Sequence, residues 1–192
     1  MFIVIEGIDG TGKSSVINEL HRKINNSIVT RTPGGDPEVG PLIRKILLSK
    51  NGLVKESQAL LFIADMLQVD KNIIQPALKN NLTVLCDRFY LSTYIYQFTN
   101  KKLPMAVKNL KHGNLFTKPD YTFILDIPVE IALSRMGKEK DRYESDTVDT
   151  WNMRRTKYLA QANAENTHLI NTKDKSIKEV TDIIMQTLAQ ES

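Results

Sequence analysis

Residues 2–15 read FIVIEGIDGTGKSS, a short apolar run followed at once by a glycine-rich segment and two serines. Gly7, four further residues and then Gly12-Lys13-Ser14 match the P-loop pattern, in which backbone N–H groups surround the phosphates of a nucleotide. A strand before such a loop and a helix after it aim the helix N-terminus at the same negative charge. This stretch therefore predicts an α/β protein that binds a nucleotide.

The side chains of this loop have separate roles in the prediction. Lys13, which we expect to be exposed at the loop-to-helix junction, reaches the β- and γ-phosphates, and the Ser14 hydroxyl ligates Mg²⁺. A glycine-rich turn with a solvated lysine is the alternative. The residues expected to hold the ATP phosphates are Gly7, Gly10, Thr11, Gly12, Lys13, Ser14 and Ser15.

The rest of the chain alternates short apolar runs with longer segments of helical period. The strand-like runs are Phe2–Ile5, Ser27–Thr30, Leu82–Cys86, Tyr121–Asp126 and Thr167–Ile170. The helical segments are Lys13–Asn25, Val39–Ser49, Lys55–Lys79, Leu91–Phe98, Val129–Met136, Thr147–Asn163 and Ser176–Ala189. This alternation predicts one domain, residues 1–192, with a parallel sheet covered by helices on both faces.

Composition narrows the function classes. The chain has 192 residues, of which 41% are hydrophobic and 25% charged, as in a single globular domain. Its one cysteine, Cys86, cannot form an internal disulfide, which favours a reducing, cytoplasmic compartment. No apolar run approaches the ~20 residues of a membrane span. The net charge of +4 with scattered lysines favours phosphate-bearing small molecules over a nucleic acid.

Two loops that follow predicted strands carry charges suited to phosphate and metal. TRTPGG turns at Gly34-Gly35 between Arg31 and Arg44, a layout that suits an anion, although a tight connector with two solvated arginines is the alternative. The third strand ends at Asp87-Arg88, where a P-loop protein usually places the aspartate that holds Mg²⁺. An Asp-Arg ion pair or an aspartate that caps the next helix is the alternative reading.

A third charged segment, MGKEKDRYES at residues 136–145, lies between two predicted helices. Six charges around one glycine are typical of a polar segment that closes over an active site, so we predict a short lid at about residues 136–146. An ordinary exposed loop is the alternative.

Together these motifs resemble the thymidylate kinase family over nearly the whole chain. The matching pieces are IEGIDGTGKSS, TRTPGG, LIRKILLS, ALLFIAD, IIQPAL, VLCDRFYLSTYIYQ, DYTFILDIPVEIALSRM, DRYE and RRTKYLAQA. The resemblance implies a nucleoside monophosphate kinase fold with a five-stranded parallel sheet flanked by helices, and a homodimer. It also implies transfer of phosphate from ATP to deoxythymidine monophosphate (dTMP) with Mg²⁺.

The resemblance assigns roles to single residues. Asp9 would contact the sugar 3′-OH and organise Arg88, and Phe62 would stack on thymine. Tyr96 would lie beneath the deoxyribose. The implied acceptor-binding residues are Asp9, Arg31, Arg44, Phe62, Met66, Arg88, Thr93, Tyr96 and Gln97, in which Thr93 and Gln97 read the pyrimidine edge. The implied catalytic residues are Lys13, Arg88, Arg142 and Asp9, and the implied metal ligands are Ser14 and Asp87.

Family members supply an arginine to the transferred phosphoryl group from either the P-loop or the lid. This P-loop has Thr11 in its middle, so the resemblance implies a cation from the lid. Arg142, in DRYE, matches a lid arginine of the family. The lid cations are Arg135, Lys138, Lys140 and Arg142, and the sequence leaves open which of them reaches the γ-phosphate.

Two departures from the family pattern affect the acceptor site. Thr32 replaces the glutamate of the usual Arg-Glu-Pro-Gly-Gly loop. Met66 stands where relatives place an arginine that donates to O4 of thymine, four residues after the stacking phenylalanine. We therefore expect relaxed base specificity, unless Met66 merely packs and another group serves O4. The alternatives are a deoxynucleoside monophosphate kinase with a different or broad base preference, and a P-loop nucleotide-binding regulator without activity.

Overall fold

The structure is a computed structural model that describes residues 1–49, 53–97, 115–136 and 146–191. Its strands are β1 (Phe2–Glu6), β2 (Ser27–Arg31), β3 (Thr83–Asp87), β4 (Tyr121–Asp126) and β5 (Thr167–Asn171). The helices are α1 (Lys13–Lys23), α2 (Gly40–Leu48), α3 (Lys55–Val69), α4 (Gln75–Lys79), α5 (Tyr90–Gln97), α6 (Val129–Arg135), α7 (Val148–Leu159) and α8 (Ile177–Glu191). Every predicted strand is present within one residue of its expected bounds.

All five strands run parallel in the order β2-β3-β1-β4-β5. Successive residues of β1 face opposite sides of the sheet, as the pleat requires. Phe2 and Val4 pack with apolar residues of α3 and α4, whereas Ile3 and Ile5 pack with those of α1 and α8. The central strands β1 and β4 are mostly apolar and buried, whereas the edge strands β2 and β5 carry exposed polar residues such as Arg31 and Asn171. The polar residues of the site collect at the carboxyl ends of the strands.

Most predicted helices are present within two residues of their expected bounds, and two differ further. The single helix expected over Lys55–Lys79 is divided by a π-helical turn, Asp70–Ile74, between α3 and α4. The helix expected to reach Asn163 ends at Leu159, because the N–H groups of Gln161 and Ala162 bond three residues back rather than four. Within the described ranges, no helix combines the length and the apolar run needed to cross a membrane.

Candidate active site

The P-loop joins β1 to α1 with three glycines in the left-handed region, at φ values of 135° (Gly7), 79° (Gly10) and 91° (Gly12). A Cβ atom at Gly7 or Gly10 would lie 2.4 Å from a backbone carbonyl oxygen, so the turn also requires their lack of a side chain. No side chain caps the start of α1. The first-turn N–H groups therefore face the mouth of the loop, where they can bind phosphate.

Lys13 is buried, which corrects the expectation that it is exposed. Its Nζ donates to the carbonyl oxygen of Ile8 at 2.7 Å and lies 3.8 Å from Asp9 Oδ1, so the loop closes around the amine. Burial, together with the charge of Arg88, lowers the pKa of Lys13 to about 8. The Thr11 hydroxyl also donates to Ile8, at 3.0 Å, and so points into the loop.

Ser14 and Asp87 meet at the carboxyl edge of the sheet, where Ser14 Oγ donates to Asp87 Oδ2 at 3.0 Å. The other oxygen, Asp87 Oδ1, is buried and has no hydrogen-bond partner in the described part of the chain. No group of three or more His, Cys, Asp or Glu side chains suited to a metal occurs there either. Mg²⁺ at a phosphate site needs only one or two carboxylates besides water and phosphate oxygens. The orphaned oxygen beside a hydroxyl therefore fits the predicted magnesium ligands.

Arg88 lies at the centre of a buried polar network directly after β3. Its backbone has a φ of 67°, and Nη2 forms an ion pair with Asp9. Nη1 donates to the carbonyl oxygen of Gly7 at 2.9 Å, to Ser92 Oγ at 3.0 Å and to the Tyr158 hydroxyl at 3.2 Å. Although burial acts to raise it, the charges of Arg88 and Lys13 hold the pKa of Asp9 well below its usual range.

Sequence reasoning missed Glu6, whose carboxylate supports the Arg88 loop. Glu6 is fully buried at the end of β1 and accepts from the backbone N–H groups of Phe89 at 2.9 Å and Ser92 at 3.1 Å. It also accepts from the hydroxyls of Ser92 and Tyr158. Burial raises the pKa of Glu6. An acidic residue closing an otherwise apolar strand was the available signal, but its partners lie more than 80 residues away.

Two adjoining cavities open at this edge of the sheet. The larger, of about 660 Å³, is lined by Asp9, Gly10, Gly12, Lys13, Ser14, Ser15, Arg31, Thr32, Arg44, Asp87, Arg88, Arg135, Lys175, Ser176 and Ile177. The smaller is lined by Asp9, Thr32, Pro33, Arg44, Leu48, Phe62, Arg88, Ser92, Thr93 and Tyr96. Asp9, Thr32, Arg44 and Arg88 are common to both, so two arginines stand at the junction.

Most of the predicted acceptor residues line the smaller cavity. Phe62, Thr93 and Tyr96 are among them, and the Tyr96 hydroxyl donates to Asp9 Oδ2 at 3.2 Å. The guanidinium of Arg154 lies over the Tyr96 ring at 4.3 Å from its centroid, a contact that the sequence did not indicate. Tyr96 is thereby held from both its hydroxyl and its ring.

Other predicted acceptor residues are absent from the lining of the smaller cavity. Arg31 is exposed and lines the larger cavity. Gln97 is buried one turn beyond Thr93 and lines neither cavity. Met66 is fully buried in the core, where its sulfur lies 3.8 Å from Thr93 Oγ1. Met66 thus lies behind the residue that faces the cavity.

The predicted lid falls largely outside the described residues, which include neither Lys138, Lys140 nor Arg142. Arg135, at its start, is exposed, and its Nη1 lies 3.5 Å from the carbonyl oxygen of Gly10. Lys175, Ser176 and Ile177, around the start of α8, also line the larger cavity and were not predicted. Their signal is weak because they follow β5 without a glycine-rich motif.

A parallel sheet of this order, with a P-loop after β1 and an arginine-bearing second cavity beside it, defines a P-loop kinase of the nucleoside monophosphate type. Comparison with known proteins makes the assignment specific. Residues 5–184 match the thymidylate kinase family, and the chain belongs to that family.

Known thymidylate kinases align with this chain over most of its length. The thymidylate kinase of Buchnera aphidicola subsp. Baizongia pistaciae is 39% identical, over 92% of this chain and 85% of the relative. That of Fervidobacterium nodosum is 36% identical, over 94% of each chain. The crystal structure of the Ehrlichia chaffeensis thymidylate kinase, 27% identical, superposes with a TM-score of 0.78 over 98% of both chains.

Proposed function

We propose that the protein transfers the γ-phosphoryl group of ATP to dTMP, giving ADP and dTDP. The observation that carries this proposal is the pair of adjoining cavities, one lined by the P-loop and the other by aromatic side chains, with Arg44 and Arg88 at their junction. Donor and acceptor phosphates can meet there, and membership of the thymidylate kinase family supports the same reaction.

At the donor side, the P-loop N–H groups and Lys13 bind the phosphates of ATP. Ser14 and Asp87 would hold Mg²⁺, which neutralises charge on the β- and γ-phosphates when bound. Gly10, Gly12 and Ser15 line the same cavity, and the unpredicted Lys175–Ile177 segment borders it from α8. Because that segment lines the larger cavity and not the smaller one, we assign it to the nucleoside part of ATP.

At the acceptor side, Arg88 and Arg44 bind the dianionic monophosphate, since planar guanidinium groups match phosphate geometry. Phe62 stacks on the base and Thr93 contacts its edge, with Gln97 one turn behind. Asp9 accepts from the sugar 3′-OH, and Tyr96 packs against the deoxyribose. Arg31, on the larger cavity, adds positive charge where the two phosphates meet.

The lid supplies the remaining cation. Phosphoryl transfer is catalysed by positioning and by charge stabilisation, and Thr11 offers no charge. We assign this role to Arg142 first, with Arg135, Lys138 and Lys140 as the other cations of a lid at about residues 136–146. Arg142→Ala should lower kcat more than it raises the KM for ATP.

A second candidate function is a kinase with a broader base preference. Met66 carries no hydrogen-bond donor, and its thioether lies behind Thr93 rather than at the cavity. Stacking on Phe62 selects weakly among bases because each base has a π-face. Turnover of another deoxynucleoside monophosphate would support this candidate, and Met66→Arg should then favour dTMP while the control Met66→Leu should not.

We also propose a homodimer in the cytoplasm, built from a single domain. Leu42 and Leu60, on α2 and α3, expose 64% and 55% of their surface, and Ile46 exposes 44%. Apolar side chains exposed on neighbouring helices suit a contact with a second copy. Analytical ultracentrifugation of the wild type and of Leu42→Glu tests this, with a monomeric variant expected.

The reaction itself is tested by ADP release with ATP and each of dTMP, dUMP, dCMP and dGMP. We expect turnover with dTMP and a near-zero rate without acceptor. ATP binding with no transfer to any of these acceptors would instead support the regulator. Lys13→Ala is the control for the P-loop and should abolish transfer; near-normal turnover in this variant would contradict the P-loop assignment.

A further inference from the structure

One edge of α3 and the π-helical turn holds the loop that leads to Arg44. Asp65 Oδ1 accepts from the backbone N–H of Gly34 at 2.8 Å. Gln68 and Asn72 donate to Asp36 Oδ2 at 3.4 and 3.1 Å. Residues spaced by three and four lie on one side of a helix, so these three side chains form a single polar edge.

The segment that this edge holds, residues 34–39, leads directly into α2. Asp36 Oδ1 accepts from the N–H groups of Glu38 and Val39, at 3.0 and 2.9 Å, immediately before α2 begins. Arg44 lies one turn into α2. The polar edge of α3 therefore fixes both the turn and the helix that carries this arginine.

Arg44 lies directly on the peptide that Asp65 holds. Its Nη1 donates to the carbonyl oxygen of Pro33 at 2.9 Å. A Cβ atom added at Gly34 would lie 2.8 Å from Arg44 Cδ, so the aliphatic part of the arginine crosses this glycine in close contact. A shift of the Pro33-Gly34 peptide would thus move the guanidinium at the junction of the two cavities.

Asp65 does not touch either cavity. Its side chain is fully buried, lines neither cavity, and its Oδ2 atom has no hydrogen-bond partner among the described residues. Burial raises the pKa of Asp65 to about 6. A buried carboxylate with one unpaired oxygen costs stability. We therefore look for the role of Asp65 in the hydrogen bond that its Oδ1 atom accepts from Gly34.

We propose that Asp65 is a positioning residue that holds the Pro33-Gly34 peptide and, through it, aims Arg44 at the acceptor phosphate. This inference rests on the proposed function and deepens it. Phe62, one turn earlier on α3, lines the base end of the cavity. Helix α3 therefore sets both ends of the acceptor: the base directly and the phosphate through Asp65.

The kinetic test compares Asp65→Ala with Arg44→Ala and with the double variant. Asp65→Ala should raise the KM for dTMP about tenfold, because the variant loses the hydrogen bond that holds the Gly34 amide. The KM for ATP should stay unchanged. When Arg44 is already alanine, Asp65→Ala should change the KM for dTMP less than about twofold, because the effects of coupled residues are not additive. Asp65→Asn, which keeps an accepting oxygen, should stay close to wild type.

Asp70→Ala is the matched control. Asp70 is also fully buried, directly follows α3 and accepts from a backbone N–H, that of Thr117 at 3.0 Å, but it lines neither cavity. Its loss should lower stability without changing the KM for dTMP. An equal KM rise in Asp70→Ala, or full additivity of Asp65→Ala with Arg44→Ala, would overturn the proposal.

A second measurement tests the positioning role of Asp65 independently of the proposed phosphoryl transfer. Hydrogen exchange of the Gly34 amide, followed by NMR, should accelerate at least about tenfold in Asp65→Ala and stay unchanged in Asp70→Ala. If the wild type transfers no phosphate to dTMP but Gly34 responds, the proposed function fails and the positioning role stands. If dTMP is a substrate and neither KM nor exchange changes, the positioning role fails. Should Asp65→Ala not fold, Asp65→Ser, whose shorter side chain cannot reach Gly34, is measured in its place.

Discussion

The two arginines at the junction of the cavities are held in different ways. Arg88 follows a central strand, and its guanidinium contacts Asp9, Gly7, Ser92 and Tyr158. Arg44 lies on α2, donates to the carbonyl oxygen of Pro33, and rests on a loop that Asp65 ties to α3. Arg88 is thus part of the rigid scaffold, whereas Arg44 rests on the loop that Asp65 holds.

The Arg88 network joins the P-loop to β3, α5 and α7, and so links elements that line both cavities. Arg44 also lines both cavities, but it reaches them from the turn at Pro33-Gly34 and from α2. We therefore expect Arg88 variants to affect kcat and Arg44 variants to affect acceptor affinity.

The largest effect should come from Arg88→Ala. It removes the proposed phosphate ligand and the closer of the two cations that pair with Asp9, so kcat/KM for dTMP should fall by at least about a thousandfold. Steady-state kinetics measures this loss, and circular dichroism checks that the variant is folded. A folded variant within tenfold of wild type would show that Arg88 is no more critical than Arg44.

Glu6→Gln should have the next largest effect. The amide keeps the shape and one accepting oxygen, but its NH2 group cannot accept where the second carboxylate oxygen accepts from backbone N–H groups or from hydroxyls. We expect kcat to fall about tenfold to a hundredfold with a smaller change in the KM for dTMP. An unchanged kcat would show that the Arg88 loop does not depend on the buried carboxylate.

Arg44→Ala should mainly raise the KM for dTMP, about tenfold to a hundredfold, as expected for one charged hydrogen bond to phosphate. Its kcat should stay within a few-fold of wild type. Kinetics at saturating ATP separates the two constants. A loss confined to kcat would reverse the assignment of roles to the two arginines.

The smallest effect concerns the pH dependence of stability at Asp65. Its pKa is raised to about 6 in the folded protein, above the ~3.9 of an unfolded chain, so ionisation favours unfolding. This destabilisation is absent below about pH 4, grows as the pH rises to about 6, and stays constant above. Asp65→Asn lacks it.

Chemical denaturation of the wild type and Asp65→Asn at pH 4 and pH 7 measures how the free energy of unfolding depends on the ionisation of Asp65. The stability of Asp65→Asn relative to wild type should rise by up to about 2 kcal/mol between these pH values. A constant difference would show that Asp65 is ionised with an ordinary pKa.

The sequence predicted the features that local pattern controls. All five strands lie within one residue of their expected bounds, because buried parallel strands are short apolar runs between polar turns. The P-loop follows from residue spacing alone. The pairing of Asp9 with Arg88 was implied by the family resemblance, and the structure shows that contact.

Features set by distant parts of the chain were not predictable in this way. Lys13 is buried because the loop closes on it, and Met66 lies behind Thr93 because of how α3 packs against α5. Helical spacing placed Met66 on the same face as Phe62 but could not give its depth. The partners of Glu6 and Asp65 come from other elements, so only the folded structure shows what these carboxylates hold.

The most direct test of the central claim, that the two cavities form one phosphoryl-transfer site, is calorimetric titration with adenosine and thymidine joined through five phosphates. One such ligand should bind per chain, at least about tenfold more tightly than ATP or dTMP, because both halves bind at once. Prior saturation with either ATP or dTMP should block it. Binding no tighter than that of ATP, or binding unaffected by dTMP, would show that the two cavities do not form one site.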